Sequence, residues 1–289
     1  MKPIRVHVVA NLHRPDALAA VQAASEWMRG RGLVVQAEPE TANRTQIEVV
    51  RPEHFGDADL VISFGGDGTL IRAAHLVAHR GTPILGVYYG RFGFVTQCDP
   101  HELGAAVSDF IDGKSRIEPR MMLQTRLLRK GEPLATLHCL NETVLQRSVT
   151  VRMMMFTVSV DDRVLTTYPA DGVLVSTPTG STGYNLSAGG PIMDPMLEAI
   201  TVTALAPHTL SARSLVLSPQ SVIRFSMAID GEAVLSADGA NRLHLLTGDE
   251  VEVRRSTRVT NLVCVQPDDF LIKLHDRLFY GHSLVGENS

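Results

Sequence analysis

The sequence predicts two domains, an α/β domain built on a parallel sheet and then a β-rich one, from three observations. In the first third, short β-branched runs alternate with amphipathic helical stretches. Beyond about residue 114, alternating apolar residues and tight-turn pairs take over and helical patterns become scarce. The composition is that of a folded protein: 289 residues, 44% apolar and 20% charged, enough for one large or two modest domains. That balance excludes wholesale disorder and collagen-like or coiled-coil structure.

Taken in order, Ile4 to Ala10 reads as a strand, and Pro15 opens a helix with Leu18, Val21, Ala24, Trp27 and Met28 on one face. Gly30 and Gly32 stop it. Leu33 to Ala37 and Asp59 to Phe64 follow as strands, Leu70 to Ala78 as a helix and Thr82 to Val87 as a fourth buried strand. This is a Rossmann-like pattern of parallel strands with helices on their faces. From about 114 to 265, β-rich stretches around Val144, Phe156, Val158, Val160, Val251 and Val253 are separated by turns at Lys130-Gly131-Glu132 and Asp161-Asp162. They predict a β-sandwich-like domain. One helix is predicted after Pro195, where Met196, Ile200 and Thr203 share a face. Pro267 to Tyr280 again reads as helical, a tail packing back on the first domain. The expected division is 1–113 with 266–289, and 114–265.

Lys plus Arg total 27 and Asp plus Glu 31, a net charge of −4. No positive excess draws the chain to nucleic acid or an anionic membrane, so neither is an expected partner. Cys98, Cys139 and Cys264 are far apart with no metal-ligand spacing. They indicate a reducing compartment rather than a disulfide framework. No signal-peptide pattern or apolar run long enough to span a bilayer is present, and a cytoplasmic location is expected. No histidine pair has metal-ligand spacing, and the methionine runs Met121-Met122 and Met153-Met154-Met155 read as core packing.

Two stretches carry chemistry. Val61-Ile62-Ser63-Phe64 runs straight into Gly65-Gly66-Asp67-Gly68-Thr69 before a helix. Ligands collect at the carboxyl ends of parallel strands, and glycines at a helix N-terminus let phosphate approach free N–H groups. Asp67 is out of place beside polyphosphate unless it takes a proton or helps to hold a metal, both of which are roles in phosphoryl transfer. The alternative reading of the pentapeptide is a tight turn in which Asp67 caps the next helix. Neither G-x-x-x-x-G-K-[ST] nor G-x-G-x-x-G occurs.

The second stretch begins at Asp171-Gly172 and runs through Thr177-Pro178-Thr179-Gly180-Ser181-Thr182-Gly183-Tyr184-Asn185 to Ser187-Ala188-Gly189-Gly190-Pro191. Hydroxyls, exposed amides and one aromatic ring suit a nucleotide; the composition also fits a surface loop with no ligand. It lacks the order of a hydrolase nucleophile elbow.

With these residues in view, the sequence resembles the NAD kinases. The resemblance runs through Gly65 to Leu70, Gly90-Arg91-Phe92-Gly93-Phe94, Asn141-Glu142, the Asp171 to Pro191 region, and Pro207-His208-Thr209-Leu210-Ser211. It implies transfer of the γ-phosphate of ATP, with Mg²⁺, to the 2′-hydroxyl on the adenosine ribose of NAD. Asp67 matches the family's catalytic carboxylate, and Gly66, Gly68, Thr69, Ile71 and Arg72 match nucleotide-binding positions around it. Phe94 matches a residue lining the adenine pocket. Asn141 and Glu142 match a pair that bonds ribose hydroxyls, and Thr182, Gly183, Tyr184 and Ser187 match positions around adenine and ribose. Asp171 matches a carboxylate near the nicotinamide, where the family's pocket is shared with a neighbouring subunit; Ala206 and His208 fall in that cross-subunit region. A homodimer or homotetramer is therefore implied.

The chain departs from the family pattern at Gly86-Val87-Tyr88-Tyr89, where Gly-Ile-Asn is common, at Pro169, often Arg or Tyr, and at Gly183, often Ala. A lipid or sugar kinase sharing the Gly-Gly-Asp-Gly loop, or a silent dinucleotide sensor, are the alternatives. The first would not need Asn141-Glu142 or the Thr177 to Tyr184 loop, and the second would be favoured by loss of Asp67.

Overall fold

The computed structural model describes residues 3–90, 93–96, 98–148, 154–209, 212–228, 232–265 and 270–279. The chain divides into two compact units, Met1–Pro119 with Asn261–Ser289, and Arg120–Thr260.

The first unit alternates strand and helix: β1 (Arg5–Ala10), α1 (Pro15–Arg29), β2 (Val34–Ala37), α2 (Pro39–Thr45), β3 (Leu60–Phe64), α3 (Asp67–Val77), β4 (Ile84–Val87) and α4 (Leu103–Ile111). Strands β2, β1, β3 and β4 pair in that order, each pair parallel. β3 and β4 are buried at every position, which is why they read as unbroken apolar runs. One core holds them to the helices, with Val8, Ile62, Leu85 and Val87 of the sheet against Ala17, Val21 and Met28 of α1 and Ala106 and Val107 of α4. Helices α2 and α4 escape the sequence reading because α2 is short and mostly polar, and α4 has only nine residues.

Among the described residues the second unit is built of strands, with short helical turns at Thr179–Thr182 and Tyr184–Ser187. Its elements are β5 (Arg116–Arg129), β6 (Glu132–Cys139), β7 (Glu142–Arg147), β8 (Met154–Val160), β9 (Arg163–Ala170), β10 (Gly172–Ser176), α5 (Tyr184–Ser187), β11 (Ile200–Leu205), β12 (Leu215–Leu217), β13 (Ile223–Ala228), β14 (Ala233–Ala237), β15 (Ala240–Leu245) and β16 (Asp249–Cys264). One antiparallel sheet runs β12-β11-β10-β7-β14-β15, and a second set pairs β16, β13, β8 and β9, with β5 joining β16 and β6. A single core lies between them, contributed by Val173, Val175, Leu145 and Leu235 from one side and Phe156, Val158, Phe225 and Val253 from the other. That is the sandwich arrangement. The turns read from sequence are two-residue hairpins with positive φ at both positions, Lys130 (55°) with Gly131 (81°), and Asp161 (50°) with Asp162 (65°).

The helix predicted after Pro195 does not form. Residues from Ile200 make strand β11 instead, paired with β10 and β12. Ile-Thr-Val-Thr is β-branched at every position, and burial on both faces outweighs the weak helical spacing of Met196, Ile200 and Thr203. The last strand, β16, ends in the first unit, where Leu262 pairs in parallel with Ile84. Helix α6 (Phe270–Phe279) follows within the predicted tail. Arg91, Phe92, Leu210 and Ser211 of the motifs, Met153, and the ends of the predicted tail helix lie outside the described residues.

Candidate active site

The strand order β2-β1-β3-β4 reverses its direction of growth between β1 and β3. In open α/β sheets the crevice at such a reversal, at the carboxyl ends of the strands, takes the ligand. There β1 gives way to Asn11 and β3 to Gly65. A cavity of about 300 Å³ opens at this point, lined by Asn11, His13, Glu40, Gly66, Gly68, Thr69 and Arg72 among others. The loop glycines have different reasons to be there. A Cβ on Gly65 would collide with the Thr69 side chain and come within 3.0 Å of Asn11 Cβ, whereas Cβ atoms on Gly66 or Gly68 would meet nothing within 4 Å. Packing requires the first; the other two keep clear the space in front of the N-terminus of α3.

Asp67 is the first residue of α3, and no side chain caps that helix. Its carboxylate instead accepts hydrogen bonds from the N–H groups of Phe94, Val95 and Thr96 and from the Thr96 hydroxyl. The helix-capping reading is therefore replaced by a longer-range one. Arg72, one turn on, donates to the carbonyl of Ala10 at 2.6 Å, and pairs with Glu38 at 2.7 Å and Glu40 at 2.8 Å. Burial raises the Glu38 carboxyl above its ordinary value, and Arg72 opposes the rise. Ile71 is half-buried on the same helix and does not line the cavity.

In the second unit Asn141 and Glu142 are pinned by a remote carboxylate. Asp238 accepts the N–H groups of Leu140, Asn141 and Glu142 at 2.7, 2.8 and 3.0 Å. It can reach them because Asp238 (φ 49°) and Gly239 (φ 73°) form the tight turn between β14 and β15. Glu142 is 8% exposed, and its Oε2 and the Oδ1 of Asn141 are buried with no hydrogen-bond partner. Burial first, then the neighbouring charge of Asp238, push the Glu142 carboxyl up to about 7. Buried acceptors left open in this way suit a ligand rich in hydroxyl donors.

The Thr/Ser/Gly loop sorts into two groups. Thr177 donates to the Leu140 carbonyl at 2.6 Å, Ser181 to Met193 at 3.1 Å, and buried Asn185 to Ser181 and Pro191. These polar groups hold the loop to itself and to Asn141. A Cβ on Gly180 would land on the Asn141 backbone, and Gly183 passes close to both Asn141 and Glu142. Thr182 is half-buried, while Tyr184 (43% exposed) and Ser187 stay open. Tyr184 and Ser187 line a second cavity, of about 430 Å³, with Asp171, Arg147, Ala188, Leu205 and Ala206. Asp171 is held there by Arg147 through two bonds of 2.8 and 3.1 Å. His208 is exposed, donates its backbone N–H to the Pro169 carbonyl, and lies outside this lining.

A family model for the ATP-NAD kinase N-terminal domain matches residues 8–115, and one for the ATP-NAD kinase C-terminal domain matches residues 140–265. The chain belongs to the NAD kinase family. Among its relatives, the NAD kinase of Citrifermentans bemidjiense is 38% identical over 284 residues, 96% of this chain and 99% of that protein. The NAD kinase of Symbiobacterium thermophilum is 39% identical over 260 residues, 89% of this chain and 92% of that one. The yeast NADH kinase crystallised with NADH superposes with a TM-score of 0.89 at 26% identity, covering 99% of this chain and 90% of that chain. An NAD kinase of Archaeoglobus fulgidus in complex with ATP, 23% identical, shares the fold with a TM-score of 0.73 over 98% of this chain and all of that chain.

Among the described residues no cluster of three His, Cys, Asp or Glu side chains could hold a metal ion, and no helix is long and apolar enough to cross a membrane. Sequence reasoning missed Asn11, His13, Glu38 and Glu40 beside the first cavity, and Arg147 and Asp238 in the second unit. The end of β1 could have pointed to Asn11 and His13, because neighbouring parallel strands end on one edge. Arg147 and Asp238 act on residues 24 to 98 positions away in sequence, and nothing local marks them.

Proposed function

We propose that this NAD kinase makes NADP by passing the γ-phosphate of ATP to the adenosine 2′-hydroxyl of NAD, with Asp67 as general base. The observation that carries this reading is the loop after β3: Gly66 and Gly68 leave room where side chains would stand, and Asp67 is spent neither on capping nor on an ion pair with Arg72. Free N–H groups at the start of α3 and the Arg72 guanidinium suit a polyphosphate in the adjoining cavity. Mg²⁺ is proposed to enter as part of the substrate, carried on the phosphate oxygens of ATP.

In this reaction the 2′-oxygen forms its bond to the γ-phosphorus while the bond to the β,γ-bridging oxygen breaks. ADP leaves with that electron pair, and the hydroxyl proton passes to the Asp67 carboxylate. Asn141 and Glu142 are assigned to the ribose hydroxyls, supported by their two open buried oxygens. Thr182, Gly183, Tyr184 and Ser187 are assigned to adenine and ribose, and Phe94 to the adenine pocket. Asp171 and Ala206 are assigned to the nicotinamide end, supported by their place on the 430 Å³ cavity. His208 and the completion of that pocket are assigned to a homodimer or homotetramer, and the location to the cytoplasm.

The test is a coupled assay in which NAD, ATP and Mg²⁺ are supplied and NADP is scored by an NADP-specific dehydrogenase. Wild type should form NADP, and Asp67→Asn should bind NAD yet turn over at least ~100-fold more slowly. Wild-type protein that binds NAD and forms no NADP would overturn the reading.

A further inference from the structure

The grip on Asp67 is uneven. Its Oδ2 accepts one hydrogen bond, from the N–H of Phe94 at 2.8 Å. Its Oδ1 accepts three, from the N–H groups of Val95 (3.2 Å) and Thr96 (3.0 Å) and from the Thr96 hydroxyl (3.1 Å). Each carboxylate oxygen offers about two lone-pair sites, so Oδ1 is fully engaged and Oδ2 keeps one site open. We propose that Oδ2 is the oxygen that takes the substrate proton, and that Thr96 is a positioning residue that turns the Asp67 carboxylate to present it. This rests on Asp67 being the base.

Three further features fit. Thr96 is fully buried, so its hydroxyl is reserved for an interior partner, and Asp67 is the acceptor it reaches. Gly93 begins the gripping segment, and a Cβ there would fall on Asp67 Oδ1 and the Thr96 hydroxyl. Any side chain at 93 would thus push the donors off the carboxylate. The segment itself is anchored beyond both ends. Tyr88 donates its N–H to the Cys98 carbonyl and its hydroxyl to Asp99 at 2.7 Å, and Cys98 donates its N–H to Gly86. The donors are therefore fixed before substrate arrives, as preorganised catalysis requires.

Thr96→Val keeps the shape and removes one donor to a charged acceptor. The kcat should fall by about 10- to 100-fold, with the KM values for NAD and for ATP within about twofold of wild type. Thr96→Ser returns the hydroxyl and should return most of the kcat. Should the valine variant fail to fold, Thr96→Ala compared with Thr96→Ser carries the same contrast. A wild-type kcat without the hydroxyl, a serine variant no faster than the valine one, or both KM values rising in step with the loss would overturn the proposal. Asp67→Asn, run alongside, separates the two ideas. If it stays active, the base assignment itself fails; if it is inactive while Thr96→Val is at wild-type rate, only the positioning role fails.

Discussion

Glu142 makes a sharp test because the same burial that readies it for a ligand costs the free protein stability. Its carboxyl is pushed to about 7 from an ordinary value of 4.5. A group whose folded value is raised holds its proton more tightly in the native state, so its contribution is intact below 4.5 and is lost as the pH climbs through 7. The gap corresponds to about 3 kcal/mol at pH 8. Glu142→Gln never ionises, and its side-chain oxygen can still accept the Tyr184 N–H that Glu142 accepts. The variant should match wild type in urea unfolding at pH 4.5 and exceed it at pH 8 by up to about 3 kcal/mol, or roughly 5–10 °C in Tm. It should also raise the KM for NAD, because an amide replaces the open carboxylate oxygen. Every other titrating group is common to both proteins and cancels in the difference. If the two curves stay parallel from pH 4.5 to 8, Glu142 is not a desolvated carboxylate and the reasoning fails.

Two more outcomes follow from burial and clearance. Gly66→Ala should leave the Tm unchanged and raise the KM for ATP, while Gly65→Ala, which meets Thr69 and Asn11, should lower the Tm by several degrees; the opposite ranking would contradict the division of the loop into clearance and packing. His7 is buried, donates its Nδ1–H to the Phe55 carbonyl at 2.7 Å, and has its value lowered by that burial. Its lowered folded value means the unfolded chain binds the proton first, so stability should drain as the pH falls through 6.5, and urea titrations of wild type against His7→Gln should diverge only below that point.

The parallel strands of the first unit were legible because β3 and β4 are buried on both faces, so their apolar character is unbroken in sequence. The hairpin turns were legible because Lys130-Gly131 and Asp161-Asp162 are local. Strand β11 was misread because its register against β10, from Thr201 to Leu205, is fixed by a partner nearly thirty residues upstream. The site divides along the same line. The Gly66, Asp67 and Gly68 cluster is contiguous and announces itself, as do Asn141-Glu142 and the Thr177 to Tyr184 loop. The groups that orient them are remote. Asp238 holds Glu142 from 96 residues away, and Thr96 holds Asp67 from 29. Nor could sequence tell which hydroxyls of the polar loop are spent inside it: Thr177 and Ser181 look no different from Thr182, yet their bonds to Leu140 and Met193 take them out of play.

The path of β16 bears on how the chain is born. Every strand of the second unit is available once the ribosome has made Thr260, but the first unit takes its last sheet pairing, Leu262 with Ile84, from residues made afterwards. The second unit can therefore finish while the first, though begun earlier, still waits with the Ile84 end of β4 unpaired on the flank that Cys98 bridges only at Val87. The order of completion reverses the order of synthesis. A nascent chain arrested just after Thr260 leaves the exit tunnel should protect β7, β10 and β14 from protease, while the Ile84 end of β4 gains its full protection only after Cys264 has emerged.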